Sequence, residues 1–283
     1  MNEMTLFMLV FVTQIFLLSA YFPSRILRRS QYVLENYPAS THPKLYPKSS
    51  QYFKRAMTLY KWVNIFNMML GLALLYFIYT GYLVGEKGLN PMLPWGYFML
   101  QMIPSQLLEF FGMRLAKLMK QQDQRRQKSA QLKPRKLTDY VSAKLLAAVI
   151  LSYFGFILIG LYLEGFVISS ESKTLVMSGI LLIGMLFFIG MSRWLIRGRV
   201  KDPYQSEHSR HKSVSMVIKT FCYTIIACSG FMLVALLVVT FDLKTIMPII
   251  MSLFLQLLVI LSMGFMLHNN CIEDIDFDVY KSA

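Results

Sequence analysis

Apolar residues along this chain gather in seven blocks, 4–22, 62–85, 94–114, 141–168, 174–191, 214–241 and 246–268, with polar stretches between them. A helix rises about 1.5 Å per residue, so roughly 20 apolar residues cross the hydrocarbon core of a bilayer. Each block therefore predicts a membrane-spanning helix, the fifth being the shortest. The stretches before the third, fifth and seventh blocks are short and turn-like: GEKGLNPMLP, SSESK and DLKT. Those before the second, fourth and sixth (23–61, 115–140 and 192–213) are longer and basic. The pattern predicts an all-α, polytopic transmembrane helix bundle built from one N-terminal span and three hairpins. Met4 to Phe22 has no basic residue ahead of it and Arg25, Arg28 and Arg29 behind it. That is the reverse of a secretory signal, so the first block reads as an uncleaved span.

Composition agrees with the pattern. The 283 residues are 55% hydrophobic and 16% charged, against about 45–50% and 25% in soluble domains. A net charge of +14 could attract nucleic acid, but the charges sit in connectors and no recognition motif is present. Counted with their flanks, the three basic connectors hold eight, ten and seven Lys or Arg. The three turns hold one each, Lys87, Lys173 and Lys244. By the positive-inside rule the basic connectors and the C-terminus lie in the cytoplasm and the N-terminus outside. The expected location is a bacterial-type cytoplasmic (inner) membrane. Anionic headgroups are then natural partners of the connectors, at about 1 kcal/mol per basic residue near the surface.

Chemistry concentrates in the third block, which carries Gln101, Pro104, Ser105, Gln106 and Glu109. An acid inside hydrocarbon is costly, which makes Glu109 the first place to look for function. At 100° per residue Gln101, Ser105, Glu109 and Gly112 share a face, as do Tyr60, Asn64, Asn67 and Gly71 around the second block. Counting from Lys61 and Arg114 places Asn64, Asn67, Gln106 and Glu109 about 5–12 Å inside the cytoplasmic boundary. Lys144 and Lys219 enter their spans at similar depth. One reading is a cytoplasm-facing polar pocket with Glu109 as its carboxylate and Lys144 or Lys219 as counter-charge. The other is interhelical glue, in which Asn, Gln and Ser bond across helices for about 0.6 kcal/mol each. Pro104 in mid-span frees a backbone carbonyl and predicts a kink. Pro248, Ser252 and Gln256 line one face of the last block.

Outside the spans, the segment from Tyr37 to Phe53 spaces Pro38, Pro43 and Pro47 among Tyr37, Tyr46 and Tyr52. It reads as a stiff loop against the headgroups or as a surface on which a protein partner docks. The tail, 269–283, is acidic through Glu273, Asp274, Asp276 and Asp278, which suggests a clasp with the basic connectors. Glu164 and Asp242, at the rim of their spans, are expected to be wet. His208 and His211 could share a helical face, but with no third ligand no metal is predicted. Cys222 and Cys228 lie in one span and Cys271 in the tail, which suits packing rather than disulfides.

No HExxH, GxSxG, P-loop or dinucleotide fingerprint occurs, so neither a catalytic residue nor a cofactor is implied. Two functions remain: a non-catalytic accessory or assembly subunit of a membrane complex, and a small-solute or ion transporter built around Glu109. Transporters usually carry inverted repeats with broken helices. These hairpins share one orientation, which favours the accessory role.

Overall fold

The computed structural model describes residues 2–85, 88–122, 136–166, 168–169, 171–198, 204, 206–269, 272 and 275–281. Lys87, the 123–135 stretch of the second connector, Arg199, Lys201, Cys271, Glu273 and Asp274 lie outside the described residues. The chain is all-helical. Its long helices are α1 (Glu3–Asn36), α2 (Ser50–Tyr79), α3 (Met92–Gln122), α4 (Ala143–Leu163), α5 (Lys173–Arg197), α6 (Glu207–Thr240) and α7 (Lys244–Asn269). Six of them, all but α3, are long and apolar enough to cross a membrane, as in a multi-pass membrane protein. α3 is 31 residues long, and its amides, proline and glutamate dilute its hydropathy. The expectation that the fifth span is the shortest is corrected. α5 has 25 residues because the helix runs on through Arg193 to Arg197, whereas α4 has 21.

Helices outrun the apolar blocks wherever the flanking sequence is helix-forming though charged. α1 continues to Asn36, α2 starts at Ser50 and α6 starts at Glu207. Lys, Arg, Gln and Glu are good helix formers, so hydropathy marks the apolar part of each helix and not its ends. Serine caps fix three starts. The hydroxyls of Ser142, Ser172 and Ser206 accept from the N–H groups of Leu145, Leu175 and Ser209. α1 and α7 each contain one π-helical turn, Leu17–Tyr21 and Ile260–Gly264. The α2–α3 turn closes by antiparallel pairing of Val84 with Leu89, the one strand pair among the described residues.

α1, α2, α3 and α7 pack as one group, α4, α5 and α6 as another, and contact between α6 and α7 joins the two. The first group buries Phe7, Phe11, Ile15, Ile78 and Tyr97 toward the turn end. Leu18, Phe22, Phe98, Leu255 and Val259 continue its core toward the other end. The second group buries Val149, Ile196, Ile218, Cys222 and Ile225. The outward faces of α4 and α5 expose Leu151, Phe154, Leu158, Ile183 and Phe187. So much contiguous apolar surface suits lipid and not water.

α3 runs the length of the first group. Leu93 at its start packs in the cluster of Phe7 and Met4, and Met119 near its end packs in the cluster of Val33 and Tyr37. At that second end the tail docks. Phe277 stacks on Tyr37 at 3.9 Å between ring centroids, and Tyr280 meets Tyr204 edge-on. The Tyr46 hydroxyl donates to the Tyr37 carbonyl at 2.7 Å, and burial raises its pKa. Ile272, Ile275 and Val279 pack in the same cluster, so among the described residues the tail is fastened by aromatic and aliphatic contacts. Asp278 pairs within the tail itself, with Lys281 at 2.6 Å.

Candidate functional site

The structure divides the eight candidate pocket residues into three places. Asn64, Asn67 and Gln101 are buried among α1, α2 and α3. Ser105 is half-buried, and Gln106, Glu109 and Lys144 are exposed. Lys219 is half-buried and lines a cleft that none of the other seven borders. The face shared by Gln101, Ser105, Glu109 and Gly112 is buried only in its first half. There α3 lies against its neighbours, whereas its second half keeps Leu107, Phe110 and Met113 exposed as well.

The buried half is a polar network. Gln14 of α1 and Gln101 of α3 are 0% and 1% exposed. The Gln14 side-chain amide donates to the Gln101 side-chain oxygen at 3.3 Å and to the Pro94 carbonyl at 3.2 Å. The Gln14 oxygen accepts from the Ser252 hydroxyl of α7 at 2.6 Å. Gln101 in turn donates to the hydroxyl of Ser19, which sits in the π turn of α1, at 2.9 Å. Gln256 donates to the Val10 carbonyl at 3.0 Å and accepts from Thr13 at 3.0 Å. Three helices are therefore joined through amides and hydroxyls, each oriented by a partner on another helix.

The α2–α3 contact explains Pro104. Proline has no N–H, so the carbonyl four residues back, that of Leu100, loses its helical donor. Asn67 of α2 supplies one: its amide reaches the Leu100 carbonyl at 3.2 Å. One turn earlier the Tyr97 hydroxyl donates to the Asn67 carbonyl at 2.8 Å. Gly71 makes this approach possible, because a Cβ there would lie 2.7 Å from Tyr97 Cζ and 2.8 Å from Ile15 Cγ1. Asn64 bonds within its own helix, to the Tyr60 carbonyl at 2.8 Å. The Tyr60 hydroxyl is buried near Ser105 and Asn64 but makes no well-formed hydrogen bond.

Three members of the network, Thr13, Gln14 and Ser19, went unremarked in the sequence. The signal was a lone amide in a block of 19 otherwise apolar or hydroxyl-bearing residues, which must find a partner once buried. At the opposite end Glu164, just beyond α4, accepts from the Ser172 hydroxyl at 2.5 Å and the Thr174 N–H at 3.1 Å. Burial works against its charge, but these bonds outweigh it and hold the carboxyl below its ordinary range. It is a cap on the first turn of α5 rather than simply a wet rim acid. Among the proposed docking tyrosines, Tyr37 and Tyr46 are engaged with each other and Tyr37 with the tail. Tyr52 lies edge-on to Phe53 with the Lys48 ammonium 4.4 Å from its ring.

No model of a known protein family, no curated protein and no solved structure matches this chain. What the coordinates define is a class: an all-helical protein with six helices long and apolar enough to span a membrane and a polar network tying three of its helices together.

Proposed function

We propose that this is a seven-crossing protein of a bacterial-type cytoplasmic membrane, N-terminus outside and C-terminus in the cytoplasm. We infer that it serves as a non-catalytic accessory or assembly subunit of a membrane complex. Support for α3 as the seventh crossing is its course beside α1 from one end of the bundle to the other. Support for the orientation is the charge of the connectors.

The observation that carries the accessory reading is the nature of the buried polar groups. Among the described residues, every buried polar side chain within the long helices is an amide or a hydroxyl. Such groups fix helices to one another, and none of them titrates in a way that could couple to an ion. Gln106, meanwhile, is exposed on α3 at a depth where lipid offers it no hydrogen bond. A polar group of a neighbouring polypeptide fits that position better than an acyl chain does.

The test is the native mass of the protein extracted gently from its own membrane, with mass-spectrometric identification of what accompanies it. A stoichiometric companion is expected, with its recovery reduced by Gln106→Leu. A lone monomer would overturn the accessory role.

A further inference from the structure

Six side-chain amides lie in the apolar runs of the described helices: Gln14, Asn64, Asn67, Gln101, Gln106 and Gln256. Five of them are buried and hydrogen-bonded. Gln106 alone is exposed, and its side chain bonds to no other described residue. On α3, Trp95 stands 11 residues before it and Arg114 eight residues after it, or about 16 Å and 12 Å along the axis. Tryptophan settles at a bilayer interface and arginine at or beyond one. The amide therefore lies deep in the hydrocarbon, where an acyl chain neither donates to it nor accepts from it.

The amide sits in the middle of an ordered stripe. Met99, Ile103, Gln106, Phe110, Met113 and Lys117 follow one another at alternating spacings of four and three, and all six are exposed. That is the 3.5-residue repeat of a seam between two packed helices. Its 18 residues rise about 27 Å, close to the depth of the hydrocarbon core. One polar residue in such a seam fixes the register of the two helices. The outward faces of α4 and α5 differ. There Leu151, Phe154, Leu158, Ile183 and Phe187 present apolar groups that lipid solvates.

We propose that this face of α3 packs against a transmembrane helix of the companion subunit, an apolar helix with one amide or hydroxyl level with Gln106. The inference rests on the accessory reading and names the surface that the companion covers. Charge argues against a second copy of this chain as the occupant. Two copies inserted in the same orientation are related by an axis along the membrane normal, so their α3 helices would run parallel. Lys117 of one copy would then face Lys117 of the other, and like charges so placed repel. The companion helix accordingly has no basic residue level with Lys117.

Site-directed photo-crosslinking in the native membrane tests it. A benzophenone side chain is placed singly at Met99, Ile103, Phe110 and Met113, and each adduct is identified by mass spectrometry. The same polypeptide is expected at all four positions, attached through an apolar span that carries one amide or hydroxyl. The probe at Phe66 of α2 and at Phe187 of α5, both also exposed, is expected to capture no protein. Gln106→Leu should lower the adduct yield at Phe110 about threefold when the companion is limiting, the worth of one interhelical hydrogen bond. Gln106→Asn, which keeps an amide, should retain most of the yield. Lipid adducts alone along the seam, with the companion captured at Phe66 or Phe187, would overturn this assignment and leave the accessory role standing. Capture of a second copy of this chain would overturn the choice of occupant. Capture of no protein at any position would overturn the assignment together with the accessory reading.

Discussion

The link between Asn67 and Pro104 allows a quantitative test. Asn67→Leu keeps nearly the outline of the side chain but deletes the donor that reaches the Leu100 carbonyl at 3.2 Å. An interhelical bond of this kind is worth about 0.6 kcal/mol on average in membranes, up to about 1.7. Here the loss should lie toward the upper end. Pro104 provides no N–H to take over, and a buried carbonyl without a partner costs about 1–3 kcal/mol. We therefore expect Asn67→Leu to destabilise by about 1–2 kcal/mol. In a Pro104→Ala background the alanine N–H reaches the Leu100 carbonyl, and the same substitution should cost about 0.6 kcal/mol or less. The coupling between the two positions is then about 1 kcal/mol, roughly fivefold in an equilibrium constant. Reversible unfolding in mixed micelles of the four proteins measures it. Asn64→Leu serves as control, because Asn64 bonds only to Tyr60 of its own helix and should show no coupling to Pro104. Equal cost of Asn67→Leu in both backgrounds, within about 0.3 kcal/mol, would refute the argument that Asn67 replaces the missing donor.

Three further outcomes are expected. Gly71→Ala should destabilise by about 1–3 kcal/mol through overpacking against Tyr97 and Ile15, whereas Gly112→Ala, where a Cβ meets nothing within 4 Å, should be neutral or mildly stabilising; thermal denaturation in detergent separates them. Glu164 has a folded pKa below its ordinary value of 4.5, so its contribution is present above that pH and is lost as pH falls through the folded pKa. A carboxylate at a helix N-terminus contributes about 0.3–1 kcal/mol; Glu164→Gln should lose that much at neutral pH and show a flatter acid profile below pH 4.5. Phe277→Ala removes the ring stacked on Tyr37 and should speed limited proteolysis of the tail several-fold without changing global stability.

Hydropathy located all seven long helices but not their ends, because charged helix formers such as those at the start of α2 and α6 carry the helix into the basic connectors. The stripe Tyr60, Asn64, Asn67 and Gly71 was legible as one face of α2, and it is the face turned inward, with Ile78. The corresponding stripe on α3 is buried only as far as Pro104. A periodic pattern gives the face of a helix, and the point at which its neighbours leave it is set by tertiary packing. Gln14 shows the other limit. Its residue type announces that a partner is needed, while the partners, Gln101 and Ser252, stand 87 and 238 positions away. Attraction of opposite charges led toward an electrostatic clasp for the tail. Among the described residues the tail is fastened by Phe277 and Tyr280, which have apolar surface to bury; Glu273 and Asp274 lie outside the described residues.

The span between Gln14 and Ser252 also sets an order of events in the making of the protein. α1 leaves the ribosome first and α7 last. At about 5–20 residues per second, the 238 positions between these two residues take roughly 12–48 seconds to synthesise. Throughout that interval the side-chain oxygen of Gln14 is without its final donor, and the Val10 carbonyl and Thr13 hydroxyl are without Gln256. α3 arrives partway, bringing Gln101 as an interim partner for the Gln14 amide. The first group of helices is thus left open along one side while α4, α5 and α6 are synthesised. It closes only when the last hairpin places α7 beside α1, with α6 already seated in the other group. A chain truncated before α7 would leave Gln14, Thr13 and the Val10 carbonyl without the partners that Ser252 and Gln256 supply, and so would lack the contact that closes the first group.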